Sequence, residues 1–127
     1  GPGLPKGRHT DAFCCLRDMY PTACELAGIT VPKTVQGKSL ISVLSDNSGK
    51  VRSHSYGYFQ NIQRMVRDER WKLVWYPEIK KHQLFDLKND PHELRNLATN
   101  SGQRKRLAIL QTKMHDWFQA AGDKVFE

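Results

Sequence analysis

Apolar and polar residues alternate in the middle of the chain, which is the pattern of half-buried β-strands. In the hexapeptide WKLVWY, positions 71, 73 and 75 share one face of a strand, and positions 72, 74 and 76 share the other. Short links join the successive strands, so an antiparallel sheet is the most economical arrangement. The predicted strands are Ser53–Phe59, Ile62–Arg67, Trp71–Tyr76 and Gln83–Leu87.

The C-terminal part of the chain has the period of an amphipathic helix, which we predict over Gln103–Ala121. We expect this helix to end at Gly122, because glycine is common directly after the last helical residue. A small sheet needs a cover, so we expect the apolar stripe of this helix to pack on the sheet. The stripe consists of Leu107, Leu110, Met114, Trp117, Phe118 and Ala121.

The first third of the chain is predicted to form one buried strand and two short helices. The apolar run Asp11–Arg17 indicates the strand. One helix is expected to end at Gly28, and Ser39 is expected to cap a second helix with the sequence SLISVL. The expected fold class is therefore α+β: a small antiparallel sheet of about four strands covered by a C-terminal helix, preceded by a strand and two short helices.

The stretch HQLFDLKNDPHELRNLA, His82–Ala98, begins with the alternation of a strand and continues with residues that are typical of a helix start. Asp90 suits an N-cap, Pro91 suits the first helical position, and Glu93 falls where a capping box places its acid. A calcium loop that begins at Asp86 is the alternative, but its sixth and twelfth positions would need Gly and Glu. The chain has Pro91 and Leu97 there, so a structural turn and cap is the better interpretation.

The charge of the chain bears on its partners. Twenty Lys and Arg against thirteen Asp and Glu give a net charge of +7 over 127 residues. This balance favours anionic partners such as acidic glycans, sulfate or phosphate esters and nucleic acid, but a well-solvated basic surface is the simpler explanation. No RNA-binding aromatic signature, zinc-finger spacing or helix-turn-helix punctuation is present, so nucleic acid is an unlikely partner.

The sequence offers no motif for catalysis or metal binding. It has no glycine-rich phosphate loop, no Gly-x-Ser-x-Gly elbow and no His-Glu-x-x-His. The three cysteines form no disulfide framework, and the five histidines have no metal-ligand spacing. No apolar run approaches the roughly 20 residues that span a bilayer, so no membrane segment is expected. We therefore predict no catalytic residue, no metal ligand and no cofactor in this chain.

Four segments, in order, resemble the C-terminal portion of a type I sulfatase of the alkaline-phosphatase-like superfamily. Gly1–Gly7, GPGLPKG, is similar to a loop that follows the last active-site strand of that family. Asp18–Leu44 resembles a helix with the pattern D-x-x-P-T-x-x-x-L-A-G and the segment after it. Met65–Pro77, MVRDERWKLVWYP, is similar to a family hairpin, and Gln83–Ala98 resembles the pattern L-Y/F-D-L-x-x-D-P-x-E-x-x-N-L.

The resemblance implies a division of the chain into two parts. Residues 1–50 would be the tail end of the catalytic α/β domain, which the strand and the two short helices would complete. Residues 51–127 would be the C-terminal subdomain. In the chain alone, the exposed stretch Asp11–Gly28 is expected to lack its cover, which makes self-association of the fragment possible.

The resemblance also implies that the parent is a sulfuric ester hydrolase for sulfated carbohydrate, periplasmic or extracellular. Such a parent would use calcium and a formylglycine residue made within a Cys/Ser-x-Pro-x-Arg motif. Neither Cys14 nor Cys24 begins that motif, so formylglycine and calcium are expected upstream, in the missing N-terminal catalytic domain. The chain alone is then catalytically incomplete. The alternative is an independent basic module that binds acidic glycans or nucleic acid.

One stretch, YGYFQNIQRM, is predicted to touch substrate, because the first strands of the C-terminal subdomain can help to line the cleft in such enzymes. Arg64 offers a planar fork of donors for a sulfate or carboxylate. Gln60 and Gln63 can hydrogen-bond sugar hydroxyls, and Tyr58 can stack on a sugar ring. The simpler alternative is that Arg64 is a surface residue of the sheet, that Gln60 and Gln63 are solvated, and that Tyr58 contributes to packing. The remaining basic residues of the hairpin, Arg67, Arg70 and Lys72, are expected to be solvated.

Overall fold

The computed structural model describes residues 5–7, 9–45 and 49–126, and the chain divides into two compact units. The first unit is Gly1–Ser53 and the second is His54–Glu127. The loop predicted at Gly1–Gly7 lies largely outside the described residues. The predicted boundary at residue 50, and the assignment of the first part to an α/β domain, stay predictions.

The second unit contains the predicted four-stranded antiparallel sheet. The strands are β1 (Ser55–Phe59), β2 (Gln63–Arg67), β3 (Trp71–Tyr76) and β4 (Lys81–Asp86), and they pair in sequence order. The tight link from β2 to β3 is stabilised by Asp68, whose Oδ1 accepts hydrogen bonds from the backbone N–H groups of Arg70 at 2.8 Å and Trp71 at 2.6 Å. The predicted α+β fold is confirmed.

The helix α3 (Arg104–Ala120) covers one face of this sheet. Leu110, Met114 and Phe118 from the helix pack against Val66 and Leu73 from the strands, as the apolar stripe predicted. All of these residues are at most 2% exposed, and burial of each such side chain contributes about 1.5–3 kcal/mol. The apolar contact between helix and sheet is therefore the core of the second unit.

The segment after β4 does not form the predicted helix. Asp90 does accept hydrogen bonds from the backbone N–H groups of Leu94 and Arg95, at 3.0 and 2.8 Å. Glu93, however, has a φ of +56°, in the left-handed region, where a right-handed helix cannot continue. Its carboxylate binds Lys72 of β3 at 2.7 Å, so the acid contacts the sheet instead of a helix terminus. The turn and the cap at Asp90 are therefore present, but no helix begins at Pro91.

The predictions for solvated basic side chains on the hairpin were also partly wrong. Arg70 forms a two-pronged contact with the carboxylate of Asp86 in β4, through Nε at 2.9 Å and Nη2 at 2.7 Å. The hydrogen bonds from Arg70 lower the pKa of Asp86 to about 2. Lys72 binds Glu93, as described above. Both cations are therefore paired with acids that come from a later part of the chain.

The first unit contains two short helices, α1 (Met19–Leu26) and α2 (Ile41–Ser45), close to the predicted positions. Gly28 has a φ of +68° and ends α1, as predicted for a glycine after a helix. The Oγ of Ser39 accepts a hydrogen bond from the N–H of Ile41 at 3.3 Å, at the start of α2.

The strand predicted at Asp11–Arg17 does not form. The chain there is irregular and then enters a 3₁₀ turn at Leu16–Asp18 that leads directly into α1. The part of the first unit that the structure describes contains no other strand with which this run could pair. The apolar pattern of this run therefore predicted the wrong structure. At its end, Oδ2 of Asp18 accepts a hydrogen bond from the backbone N–H of Cys15 at 2.7 Å.

Asp18 is the centre of the first unit. Its carboxylate is fully buried and binds the guanidinium of Arg52 through Nη1 at 2.5 Å and Nη2 at 2.6 Å. It also accepts the backbone N–H of Lys38 at 3.0 Å. Hydrogen bonds from Arg52, and then those from Lys38 and Cys15, hold the pKa of this carboxyl well below its usual range, against the opposing effect of burial. One side chain thus joins the start of α1, the loop before α2 and the end of the unit.

We expect Asp18→Asn to destabilise the first unit by about 3 kcal/mol at neutral pH, because Arg52 is left buried without its counter-charge. A carboxyl whose pKa is lowered by folding stabilises above its unfolded pKa, and this contribution is lost as the pH falls through the folded value. The native chain should therefore lose stability in acid, and the variant should lose less. Hydrogen exchange of the α1 amides from pH 7 to pH 3 measures both effects.

Asp11→Asn is the matched control, because Asp11 is exposed in the same unit. It should leave both the stability and its pH dependence unchanged. Equal pH dependence in the native chain and in Asp18→Asn would contradict the central role of the Asp18–Arg52 pair.

Candidate functional site at the β1–β2 turn

A cavity of about 340 Å³ lies between the β1–β2 turn and the C-terminal end of α3. The register of the hairpin places Tyr58 of β1 directly opposite Arg64 of β2, at the end of the sheet where the turn begins. The helix supplies aromatic rings and the residue that follows its end supplies a carboxylate. The main lining residues are Tyr58, Gln60, Asn61, Arg64, Trp117 and Asp123.

Arg64 is buried, at 3% exposure, and its guanidinium is held by several hydrogen bonds. Nε and Nη2 donate to the carboxylate of Asp123, the latter at 3.0 Å. Nη1 donates to the backbone carbonyl oxygens of Gln60 at 2.6 Å and Gln63 at 3.0 Å. An arginine carries five N–H donors, and four of them are used in these contacts. Arg64 is thus neither a solvated surface residue nor an open anion-binding fork.

Asp123 completes this arrangement from the other end of the unit. Hydrogen bonds from Arg64, and also the one from the N–H of Val125 at 3.1 Å, lower the pKa of its carboxyl despite the desolvation that opposes them. The ionised pair has no net charge, so it contributes little long-range attraction for an anion. The guanidinium carbon of Arg64 also lies 5.7 Å from the ring centroids of Tyr58 and Phe118. The pair ties the end of α3 to the hairpin.

The turn itself carries the exposed polar groups of the cavity. Gln60 has a φ of +45°, in the left-handed region, and Asn61 follows it; both residues are exposed. The carbonyl of Gln60 is fixed by Arg64, so the turn has a set shape. Tyr58 is 73% exposed beside them. An accessible aromatic ring next to two amides can bind a ligand, whereas no unpaired acid or base among these residues is placed for proton transfer.

Gln63 is separated from the other predicted site residues. Consecutive strand residues point to opposite faces, so Gln63 and Arg64 cannot share one. Gln63 lines a second cavity of about 500 Å³, together with Met65 of β2 and Val74 of β3. Tyr58 borders both cavities. The structure therefore brings together Tyr58, Gln60 and Arg64 and places Gln63 apart.

Asp123, Asn61 and Trp117 were not among the predicted site residues. Asp123 lies 59 positions from Arg64, so no local spacing signals their contact. Trp117 was assigned to the apolar stripe, and its ring does stack on Tyr56, with centroids 4.6 Å apart. The position of Asn61 beside two predicted residues in a turn was the one available signal.

The described residues do not suit a metal ion. Across residues 5–7, 9–45 and 49–126, no group of three His, Cys, Asp or Glu side chains is arranged to hold one. The buried carboxylates of Asp18, Asp86 and Asp123 are each bound to an arginine. In the same ranges, no helix is both long and apolar enough to cross a membrane.

The family model described as "N-sulphoglucosamine sulphohydrolase, C-terminal" matches residues 2–120. The chain belongs to this family. It corresponds to the C-terminal portion of sulfatases of the alkaline-phosphatase-like fold, which the motifs indicated. The match covers nearly the whole chain, including both compact units.

Two curated relatives show the extent of the similarity. The Delta 4,5-hexuronate-2-O-sulfatase of Bacteroides thetaiotaomicron is 36% identical over 115 residues, which cover 84% of this chain and 24% of the relative. Human arylsulfatase K is 35% identical over 112 residues, covering 77% of this chain and 21% of the relative. The chain thus spans less than a quarter of the length of these relatives.

Solved structures agree with this placement. A putative sulfatase from Bacteroides thetaiotaomicron superimposes with a TM-score of 0.73 at 32% identity, over 84% of this chain and 25% of that one. A phosphonate monoester hydrolase from Silicibacter pomeroyi gives a TM-score of 0.78 at 22% identity, over 100% of this chain and 29% of that one, and shows the fold alone.

We expect Arg64→Ala and Asp123→Ala each to lower the free energy of unfolding of the second unit by about 3–5 kcal/mol, because each leaves the other charge without its partner. The double variant should lose clearly less than the sum, since it removes both charges together. Urea denaturation followed by circular dichroism measures all three values. Asp116→Ala, at an exposed position of α3, is the control and should have little effect. Additive losses would show that the two side chains do not act as a pair.

Proposed function

We propose that this chain is the C-terminal part of a sulfuric ester hydrolase for sulfated carbohydrate, in which it acts as scaffold and as part of the substrate rim. The observation that carries the proposal is the family match over residues 2–120 in a chain that spans under a quarter of its curated relatives. The reactive groups would then belong to the part of the parent that this chain does not contain.

Sulfated carbohydrate is favoured by what the relatives are named for. One is a hexuronate-2-O-sulfatase, and another is described in its solved structure as a 2-O GAG sulfatase, at 31% identity and a TM-score of 0.71. The matching family is named for N-sulphoglucosamine. A sulfated glycan is the substrate class these names share, and the parent is proposed to act on that class.

Calcium and formylglycine are proposed to belong to the N-terminal catalytic domain of the parent. The described residues of this chain do not fit either group. Its buried carboxylates are already paired with arginines, so they offer no vacant oxygen cluster for calcium. Cys24 is buried in α1 and is followed by Glu25, not by the x-Pro-x-Arg sequence that formylglycine formation requires. The proposal therefore gives this chain no chemical step.

An exposed apolar face on the first unit supports the proposal that a larger domain is missing. Met19 and Leu26, seven positions apart on α1, are 58% and 53% exposed, and Leu16 in the preceding turn is 89% exposed. Tyr20 and Ile29 beside them are also more than half exposed. Contiguous apolar surface of this kind is usually covered by another protein surface. We assign this face to the N-terminal catalytic domain of the parent.

In the proposed substrate rim, Tyr58 and Gln60 contact the sugar and Gln63 extends the rim on the other face of the hairpin. Arg64 is a positioning residue, because its guanidinium holds the turn and Asp123. The alternative of an independent module for acidic glycans or nucleic acid has less support, because only the net charge of +7 favours it. The ion pairs of Arg52, Arg64, Arg70 and Lys72 are neutral and leave that charge unchanged.

We expect the 127-residue chain to show no turnover of 4-nitrophenyl sulfate, with or without calcium, because it supplies no nucleophile motif. The full-length parent, matured to carry formylglycine, should hydrolyse the same ester. Release of 4-nitrophenol measures both. A heat-treated sample of the chain is the control. Turnover by the chain above that control, or an inactive mature parent, would contradict the proposed function.

We expect the isolated chain to self-associate through the apolar face of α1. The double variant Met19→Glu/Leu26→Glu should shift it towards monomer, because charge on that face opposes burial. Light scattering over a range of concentrations measures the mass. Leu94→Glu is the matched control, since Leu94 is 84% exposed in the second unit and should not alter the mass. A native chain that is monomeric at high concentration would show that this face needs no partner.

A further inference from the structure

The cavity at the β1–β2 turn contains an arginine but offers an anion very little. Arg64 spends four of its five donors on Asp123 and on two backbone carbonyls. The carboxylate of Asp123 lies in the same cavity and would repel a sulfate brought close to it. A sulfate could enter only by displacing the acid from the guanidinium, which would leave the acid partly buried without a partner.

The remaining groups of the cavity suit an uncharged ring. Tyr58 is 73% exposed, and Arg64 lies 5.7 Å from its ring centroid, which helps to hold the ring in place. Trp117 adds a second aromatic side chain, with one face already covered by Tyr56. Sugar rings present C–H groups that pack on such aromatic surfaces, and their hydroxyls need both donors and acceptors. The exposed side-chain amides of Gln60 and Asn61 provide both.

The cavity also has its shape before a ligand binds. Its volume of about 340 Å³ is at the lower end of the range of about 300–1,000 Å³ that is usual for small-molecule sites. The turn is fixed by the bonds from Arg64 to the carbonyls of Gln60 and Gln63, so little conformational entropy is lost on binding.

We propose that this cavity binds a pyranose ring of a glycan, through stacking on Tyr58 and hydrogen bonds to Gln60 and Asn61, and that it does not recognise a sulfate group on the sugar. The inference rests on the proposed function for the identification of the ligand as carbohydrate. The site selects the sugar that carries or neighbours the sulfate ester, and the ester itself is left to the N-terminal part of the parent.

The test is a binding measurement on the ¹⁵N-labelled 127-residue chain. N-acetyl-D-glucosamine and its 6-O-sulfate form a pair of probes that differ only in the sulfate. Side-chain amide signals of Gln60 and Asn61 and the indole signal of Trp117 report on the cavity. Salt at about 0.3 M screens the general attraction of the basic surface for the sulfated probe. We expect both probes to shift these signals with Kd values within about threefold of each other, which is under 1 kcal/mol.

Tyr58→Ala should weaken both probes about tenfold, equivalent to about 1.4 kcal/mol of lost stacking. Ile79→Ala is the control, because Ile79 is 61% exposed in the same unit, outside the cavity, and this variant should bind as the native chain does. Asn61→Ala provides a second variant at an exposed position, in case the tyrosine substitution disturbs the hairpin.

Three outcomes would overturn the inference. They are no shift with either probe, tighter binding of the sulfated probe by more than threefold, and binding unaffected by both Tyr58→Ala and Asn61→Ala. None of them involves turnover, so they leave the proposed sulfatase function standing. Conversely, an inactive parent would remove the proposed function without altering the measured binding.

Discussion

The apolar contact between α3 and one face of the sheet is the interaction on which the second unit depends. It buries Leu110, Met114 and Phe118 against the strands, and it thereby fixes where the helix ends. Because the helix ends beside the β1–β2 turn, Asp123 reaches Arg64 and Trp117 reaches the cavity. The polar site thus depends on the apolar packing of the same helix, in which Phe118 takes part in both the core and the cavity.

Buried arginine–aspartate pairs join distant parts of the chain in both units. Asp18 and Arg52 do this in the first unit, and Arg64 and Asp123 do it in the second. Each pair is neutral, so the net charge of +7 is carried by the remaining side chains.

Much of the fold could be predicted because its elements are periodic. Strand alternation located the whole of β3, and the stripe of Leu110, Met114 and Phe118 located α3 to within a residue at each end. The failures occurred where one side chain overrides local pattern. The carboxylate of Asp18 accepts the N–H of Cys15, three positions earlier, inside the apolar run that had indicated a strand. Glu93 pairs with Lys72, 21 positions away, and that contact cannot be read from neighbouring residues.

The site was predictable in part for the same reason. The hairpin brought Tyr58 and Arg64 together because strand register is local, but the partner of Arg64 is 59 positions away. Alternation within β2 would have separated Gln63 from Arg64 at the outset. Sequence patterns therefore predict which side chains meet at a turn. They do not predict whether a charged side chain there, such as Arg64, is already paired or is available to a ligand.

The way the β1–β2 turn is held has a consequence for how this surface can diversify. Many tight turns take their shape from glycine or asparagine in the chain itself, so their sequence is constrained by conformation. Here Arg64 holds the turn from beneath by its carbonyl groups, at Gln60 and Gln63, while Gln60 adopts a left-handed conformation without being glycine. The outward-facing side chains of the turn therefore do not determine its backbone conformation. Substitutions at these positions can change what the turn binds while the contacts of Arg64 keep its shape.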